Sequence, residues 1–283
     1  MIIDVHTHFW LPEHQGLPWS NDVGRVSRSL AADDMHSVDA ESYLAGMSEV
    51  SRSVVFGLQA HAAGIHVPND AVADFVRQLA GRAVGFMSVD PLSHDAIHEI
   101  DRCVGELDMR GIKLGPLYQG TSPLEPRVMR VFARAEQLGL PVMIHQGAVF
   151  STAGRLQNAS PLLLDDVALT YPNLKLIVAH MGHPWVNETA IVMRRHRNIF
   201  ADTSAIASRP TIMANALIAA KEYGVLDRVL FGSDSPMVTA ESTISRLRAI
   251  VRRTQEIAYT PITDEDLESL LHRPSFDLLE ISS

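Results

Sequence analysis

The sequence predicts a (β/α)8 TIM barrel with a C-terminal helical extension. Three observations predict it. Eight short apolar runs alternate strictly with helical stretches along the chain. The runs are continuously apolar, as expected of parallel strands covered on both faces. The 283 residues hold eight such units as a single domain, 1–283. An open doubly wound sheet is the competing arrangement, but no Gly-x-Gly-x-x-Gly follows the first run. No composition shift marks a second domain, and no solenoid-length repeat is present.

The first strand is Ile2–His8, an apolar run ending in two histidines two apart. On a regular strand His6 and His8 share one face, with Asp4 one step further in, while Val5 and Thr7 take the other. Residues 9–34 form a long loop carrying Trp10 and Trp19, a length typical of lids and binding loops. The first helix spans about 39–50, capped by Asp39 or Ser37. Strand two is Ser53–Leu58, followed by a loop with His61 and His66 and a helix over about 70–80. Strand three, Ala83–Val89, stops at Asp90-Pro91, and Ser93 caps a helix reaching about 108. Gly111–Leu114 is the short fourth strand. Pro126 suits the first turn of the helix that ends near Gly139. Strand five is Pro141–His145, with a helix over about 162–171. Strand six is Leu174–His180, with a helix over about 188–196. Strand seven is Ile199–Asp202, with a helix over 210–223, and strand eight is Arg228–Asp234, with a helix over about 241–257. Thr263 caps the C-terminal segment opening Asp264-Glu265-Asp266.

Composition narrows the function. The net charge is −9, and the basic run Arg194-Arg195-His196-Arg197 falls at a helix end, so no nucleic-acid partner is expected. The single Cys103 excludes an internal disulfide and reads as a buried small hydrophobe. No signal peptide and no bilayer-length apolar run are seen, so a cytoplasmic enzyme without a membrane partner is expected. A small-molecule substrate is the expected partner, and homo-oligomerisation stays open.

In such a barrel the active site lies at the C-terminal ends of the strands. Those ends carry His6, His8, Lys113, His145, His180, Asp202 and Asp234. Each alone has a dull explanation, such as a satisfied polar terminus, a cap or a solvated amine. Their convergence on one axial cavity points instead to a divalent metal site.

The stretches Asp4–His8, Arg110–Leu114, Pro141–His145, Val178–Gly182 and Leu230–Pro236 resemble the amidohydrolase superfamily, in the branch that groups hydrolases with decarboxylases. The similarity runs nearly end to end. It implies one divalent metal held by His6, His8, His145 and Asp234, with His180 beside it as a catalytic or orienting group. The donor set suits Zn²⁺, with Mn²⁺ or Fe²⁺ also compatible. Asp234 is then the general base, and Asp202 or Asp4 a candidate to orient a ligand imidazole. Lys113 is expected to bind substrate or serve structure rather than to be carboxylated. Tyr118, Trp185 and Arg209 are the leading substrate contacts, among loop residues that also include Trp10, Trp19, His61, His66, Gln119, Gln146, Arg155, Ser204 and Met237. Aromatic and cationic groups suit a flat anion. The expected reaction is hydrolysis of a C–O or C–N bond, in a lactone or amide. The compact chain and the Gly111–Leu114 stretch favour it over the alternative, non-oxidative decarboxylation of an aromatic or unsaturated acid. A non-catalytic binding barrel is the third reading, opposed by the complete ligand set.

Overall fold

The computed structural model describes residues 1–16, 18–19, 21 and 39–281. Ser37 and most of the first loop lie outside them. Eight parallel strands run in the order β1 (Ile3–His8), β2 (Arg52–Phe56), β3 (Ala83–Ser88), β4 (Ile112–Leu114), β5 (Val142–Ile144), β6 (Leu176–Val178), β7 (Ile199–Asp202) and β8 (Val229–Leu230). The ring closes between its first and last strands. Val5 N–H donates to Phe231 O at 2.9 Å, Asp234 N–H to His6 O at 2.9 Å and His8 N–H to Ser235 O at 2.6 Å. The sheet is therefore a TIM barrel, with every C-terminal strand end at one rim.

Among the described residues the α-helices include α1 (Ala40–Gly46), α2 (Asn69–Gln78), α3 (Ala96–Glu106), α4 (Pro126–Leu138), α5 (Leu163–Thr170), α6 (Val186–Arg195), α7 (Pro210–Glu222), α8 (Ala240–Ile257), α9 (Asp264–Leu271) and α10 (Ser275–Leu278). They form because apolar residues recur at helical spacing. On α4, Val128, Val131, Phe132 and Ala135 are buried against the sheet. Full burial of such a valine or phenylalanine contributes about 1.5–3 kcal/mol. The Asp39 carboxylate caps α1, accepting from Ser42 N–H at 2.7 Å. Ser93 caps nothing, because α3 begins later, with Asp95 in the cap position. Between β2 and α2 lies a small antiparallel ribbon, Gln59–Ala60 against Ile65–His66, too short to show in the sequence pattern.

One core lies between sheet and helices, and a second fills the barrel, with Val5, Val54, Phe56, Phe86, Met143 and Phe200 among its members. Phe276, Leu279 and Ile281 belong to this inner core, so the C-terminal segment packs against the barrel interior.

The first strand corrects one expectation. Asp4 pairs with Ser53 but Thr7 with Val55, so β1 holds one residue more than β2 across that interval. This bulge breaks strict alternation. Val5 joins the inner core, yet His6 and His8 also face the interior, their rings 4.9 and 4.7 Å from that of Phe56. Asp4 is displaced to the seam, where its carboxylate accepts from His6 N–H and Ser233 N–H, each at 3.0 Å.

Candidate metal centre and its cavity

Four side chains meet at the rim. His6 Nε2 lies 3.3 Å from His8 Nε2, and Asp234 Oδ1 lies 3.2 Å from each of those nitrogens. His6, His180 and Asp234 each offer a ligand atom within 4.8 Å of the others. His145 stands one ring further out, edge-on to His180 with centroids 4.8 Å apart, and its Nε2 is 3.5 Å from Ala148 O. The sequence put His180 beside the donors and His145 among them. The geometry draws His180 into the tight group and leaves His145 at its edge.

The backbone at this rim is unusual. His180 and Met181 have φ of 56° and 51°, and Asp234 has φ of 75°, all in the left-handed region. Non-glycine residues held there cost of order 1–3 kcal/mol each and gather at functional sites. Gly232 allows the close approach behind them, since a Cβ there would lie 2.9 Å from His6 Cβ.

The electrostatics suit a cation. Burial pushes the imidazoles of His8 and His180 down to about 3 and about 4, and that of His145 well below its ordinary value. They are therefore neutral, the form that binds metals. Burial works against ionised Asp234, but His180, His6 and His8 outweigh it and hold its carboxyl well below the usual range. Asp234 Oδ1, though 3.2 Å from two imidazole nitrogens, makes no well-angled hydrogen bond among the described residues. His6 Nδ1 donates to Asp202 Oδ2 at 2.7 Å. Burial and Lys113 lower this imidazole, but Asp202 and Asp234 outweigh them and raise it. Its Nε2 therefore presents a lone pair once a cation displaces the second proton. Two imidazole nitrogens and a carboxylate oxygen thus converge on one point, with the Asp234 oxygen left unpaired there. That fits a divalent ion held by nitrogen and oxygen donors.

Lys113 is buried on β4, with Nζ 3.4 Å from His6 Nε2 and 4.5 Å from the Phe56 ring centre. Burial lowers its amine to about 8.

The cluster opens into a cavity of about 320 Å³ whose lining includes His8, Lys113, Tyr118, His145, His180, Arg209 and Asp234. Trp10, Trp19, Leu58, Ile65, Val67, Phe150, Ile206 and Met237 supply apolar wall, and His183 joins them. Trp185 does not line it. Trp185 precedes α6, its N–H donating to Gly182 O at 3.0 Å, while its carbonyl accepts from Thr189 Oγ1 at 3.1 Å. The left-handed turn at residues 180–182 brings His183 to the wall in its place. His61 and His66 line a separate polar recess. Gln119 and Gln146 spend their amides on backbone carbonyls. Spacing along the sequence could not find Ile65, which reaches the cavity from the small ribbon, or Val67 and Phe150, which reach it from loops.

A family model described as amidohydrolase matches residues 3–274. A 2-amino-3-carboxymuconate-6-semialdehyde decarboxylase from Dictyostelium discoideum is 28% identical over 130 residues, covering 40% of this chain. That match spans only 36% of the relative's length. Among solved structures, a 5-carboxyvanillate decarboxylase from Sphingomonas paucimobilis superimposes with a TM-score of 0.70 at 17% identity, covering 99% of both chains. A probable 2-pyrone-4,6-dicarboxylic acid hydrolase from Acinetobacter baumannii gives 0.69 at 15% identity, again over 99% of both chains. At these identities the superpositions speak for the shared barrel.

Proposed function

This chain belongs to the amidohydrolase family, and from that premise we propose that it is a metal-dependent hydrolase cleaving a C–O or C–N bond, as in a lactone or amide, of a small, flat, anionic substrate. The observation that carries this reading is the ionised Asp234 carboxylate, set among imidazole nitrogens at the foot of an apolar cavity. His6, His8 and Asp234 would hold the ion, with His145 and His180 flanking it. A divalent cation, Zn²⁺ first and Mn²⁺ or Fe²⁺ also compatible, would polarise a substrate oxygen and lower the pKa of a water from about 15.7 toward 7.

The chain's own groups do the rest. Asp234 accepts the proton of the attacking water on a carboxylate oxygen and returns it to the leaving group. His180 directs its Nε2 at the reacting oxygen. Arg209 and Lys113 pair with the substrate's negative charge. Trp10, Trp19, Tyr118 and Phe150 receive a flat ring and keep water out. Trp185, which does not line the cavity, is left out of these contacts.

Decarboxylation is the second reading, favoured by the apolar wall. Such a wall disfavours a substrate carboxylate relative to the neutral CO₂ it becomes, and the curated relative is a decarboxylase.

Metal-loaded protein assayed on lactones, amides and unsaturated or aromatic acids separates the two. Release of a new acid without CO₂ is expected, and CO₂ release establishes the second reading instead. Asp234→Asn should lower turnover by about 10²–10⁴-fold. Metal content is measured on the same sample, and near-normal turnover in the metal-replete variant would remove the general-base role.

A further inference from the structure

Asp202, fully buried at the end of β7, faces four donors. Its Oδ2 takes His6 Nδ1 at 2.7 Å. Its Oδ1 takes the backbone N–H groups of His180 at 3.0 Å and Ser204 at 2.9 Å, together with the Ser204 hydroxyl. The same hydroxyl lies 2.7 Å from His180 Nδ1, which is also 3.0 Å from the Ser204 carbonyl.

Counting protons fixes the arrangement. A carboxylate brings none, so His6 Nδ1 and the Ser204 hydroxyl must each donate to Asp202. With its proton committed, the Ser204 oxygen can only accept, and the Ser204 carbonyl can only accept. His180 Nδ1 must therefore carry the hydrogen. A neutral imidazole has one such hydrogen, so each ring, in the neutral form that binds a metal, presents a bare Nε2 to the cluster. The expectation that Asp202 orients one imidazole thus understates it.

We propose that Asp202 and Ser204 act as one positioning unit that fixes the tautomer and orientation of both His6 and His180. This rests on reading the cluster as the reacting centre. Ser204 is the link to His180, and the Asp202-Thr203-Ser204 segment anchors one ring from β1 and one from the end of β6.

The test uses Ser204→Ala and Asp202→Asn, singly and combined. Ring-nitrogen NMR of histidine-labelled, metal-free protein reads the tautomers, and competition with a chromophoric chelator reads zinc affinity. Ser204→Ala should move the His180 ring signals most and those of His6, whose Nδ1 also lies 3.0 Å from Ser204 Oγ, less, whereas Asp202→Asn should move both strongly. Zinc binding should weaken by about 10–100-fold in Asp202→Asn and about tenfold in Ser204→Ala. The double variant should be no more than about threefold weaker than Asp202→Asn, since members of one unit are not additive. Multiplying effects, or a His180 signal unmoved in Ser204→Ala, overturn the proposal. If Asp202→Asn does not fold, Ser204→Thr decides. It keeps the hydroxyl and should restore the His180 signal, and failure to restore it counts against the unit. Neither readout needs turnover, so an inactive protein with these signatures would refute the assigned reaction and leave the unit standing.

Discussion

Asp4 keeps its proton near neutrality, because burial raises its carboxyl to about 7 against the lowering pull of Ser233 and His6. Its Oδ2 is buried with no partner among the described residues, so the charged form gains little there. The unfolded chain releases this proton near pH 4, while the folded chain holds it until about 7. Stability from this group is therefore complete below about pH 4 and declines as pH rises to about 7, by on the order of a few kcal/mol. Urea unfolding of metal-free protein between pH 4.5 and 8 should show that decline, and Asp4→Asn should flatten it. A slope that survives the substitution assigns it to another group. The sequence offered Asp4 or Asp202 to orient a ligand imidazole; Asp202 takes the His6 ring, and Asp4 takes backbone N–H groups instead. Its displacement to the seam depends on a bulge that no residue pattern announced. The strand-end residues were legible because strand ends are where apolar runs stop. Trp185 is not in the cavity lining while His183 is; spacing does not reveal which way a loop turns after its strand.

At the scale of elements, the eight strands and the helices between them could be read from periodicity, since burial on both faces and on one stripe leave different signatures. Strand ends are shorter than the apolar runs. Strand six reads as Leu174–His180, but the ladder covers Leu176–Val178 before the chain turns left-handed at His180. Those frayed rims are what the site is made of. The segment after β8 depends on Gly232, where an added Cβ would meet His6 at 2.9 Å and the Ser204 and Asp202 side chains at 3.3 and 3.4 Å. Overpacking of this kind costs about 1–3 kcal/mol. Gly232→Ala should therefore fold, by circular dichroism, yet bind zinc at least about tenfold more weakly, because the strain falls on His6 and its anchor. Unchanged zinc affinity would mean that the rim yields elsewhere.

For the whole molecule, the centre gathers groups from β1, from the ends of β6 and β8, and from β4 and β5 at its border. A ligand bound by such a set stabilises every element it joins, by about 2.7 kcal/mol when present at a hundredfold excess over its dissociation constant. The purified protein should hold about one divalent ion per chain, measured by elemental analysis, and chelation should lower the melting temperature by several degrees. An unchanged melting temperature in protein shown to have lost an ion would confine that ion to the surface. No described helix is long and apolar enough to cross a membrane. The seam carries a consequence for synthesis. Asp4 and Ser233, bonded across it, stand 229 residues apart. On the ribosome the first strand emerges early, while the strand that seals its outer edge emerges near the end. Until then that edge offers unpaired amides and carbonyls to any neighbour, as exposed strands do. A nascent chain stalled before residue 234 would carry every histidine of the cluster and lack the carboxylate, so it would be both sticky and inert.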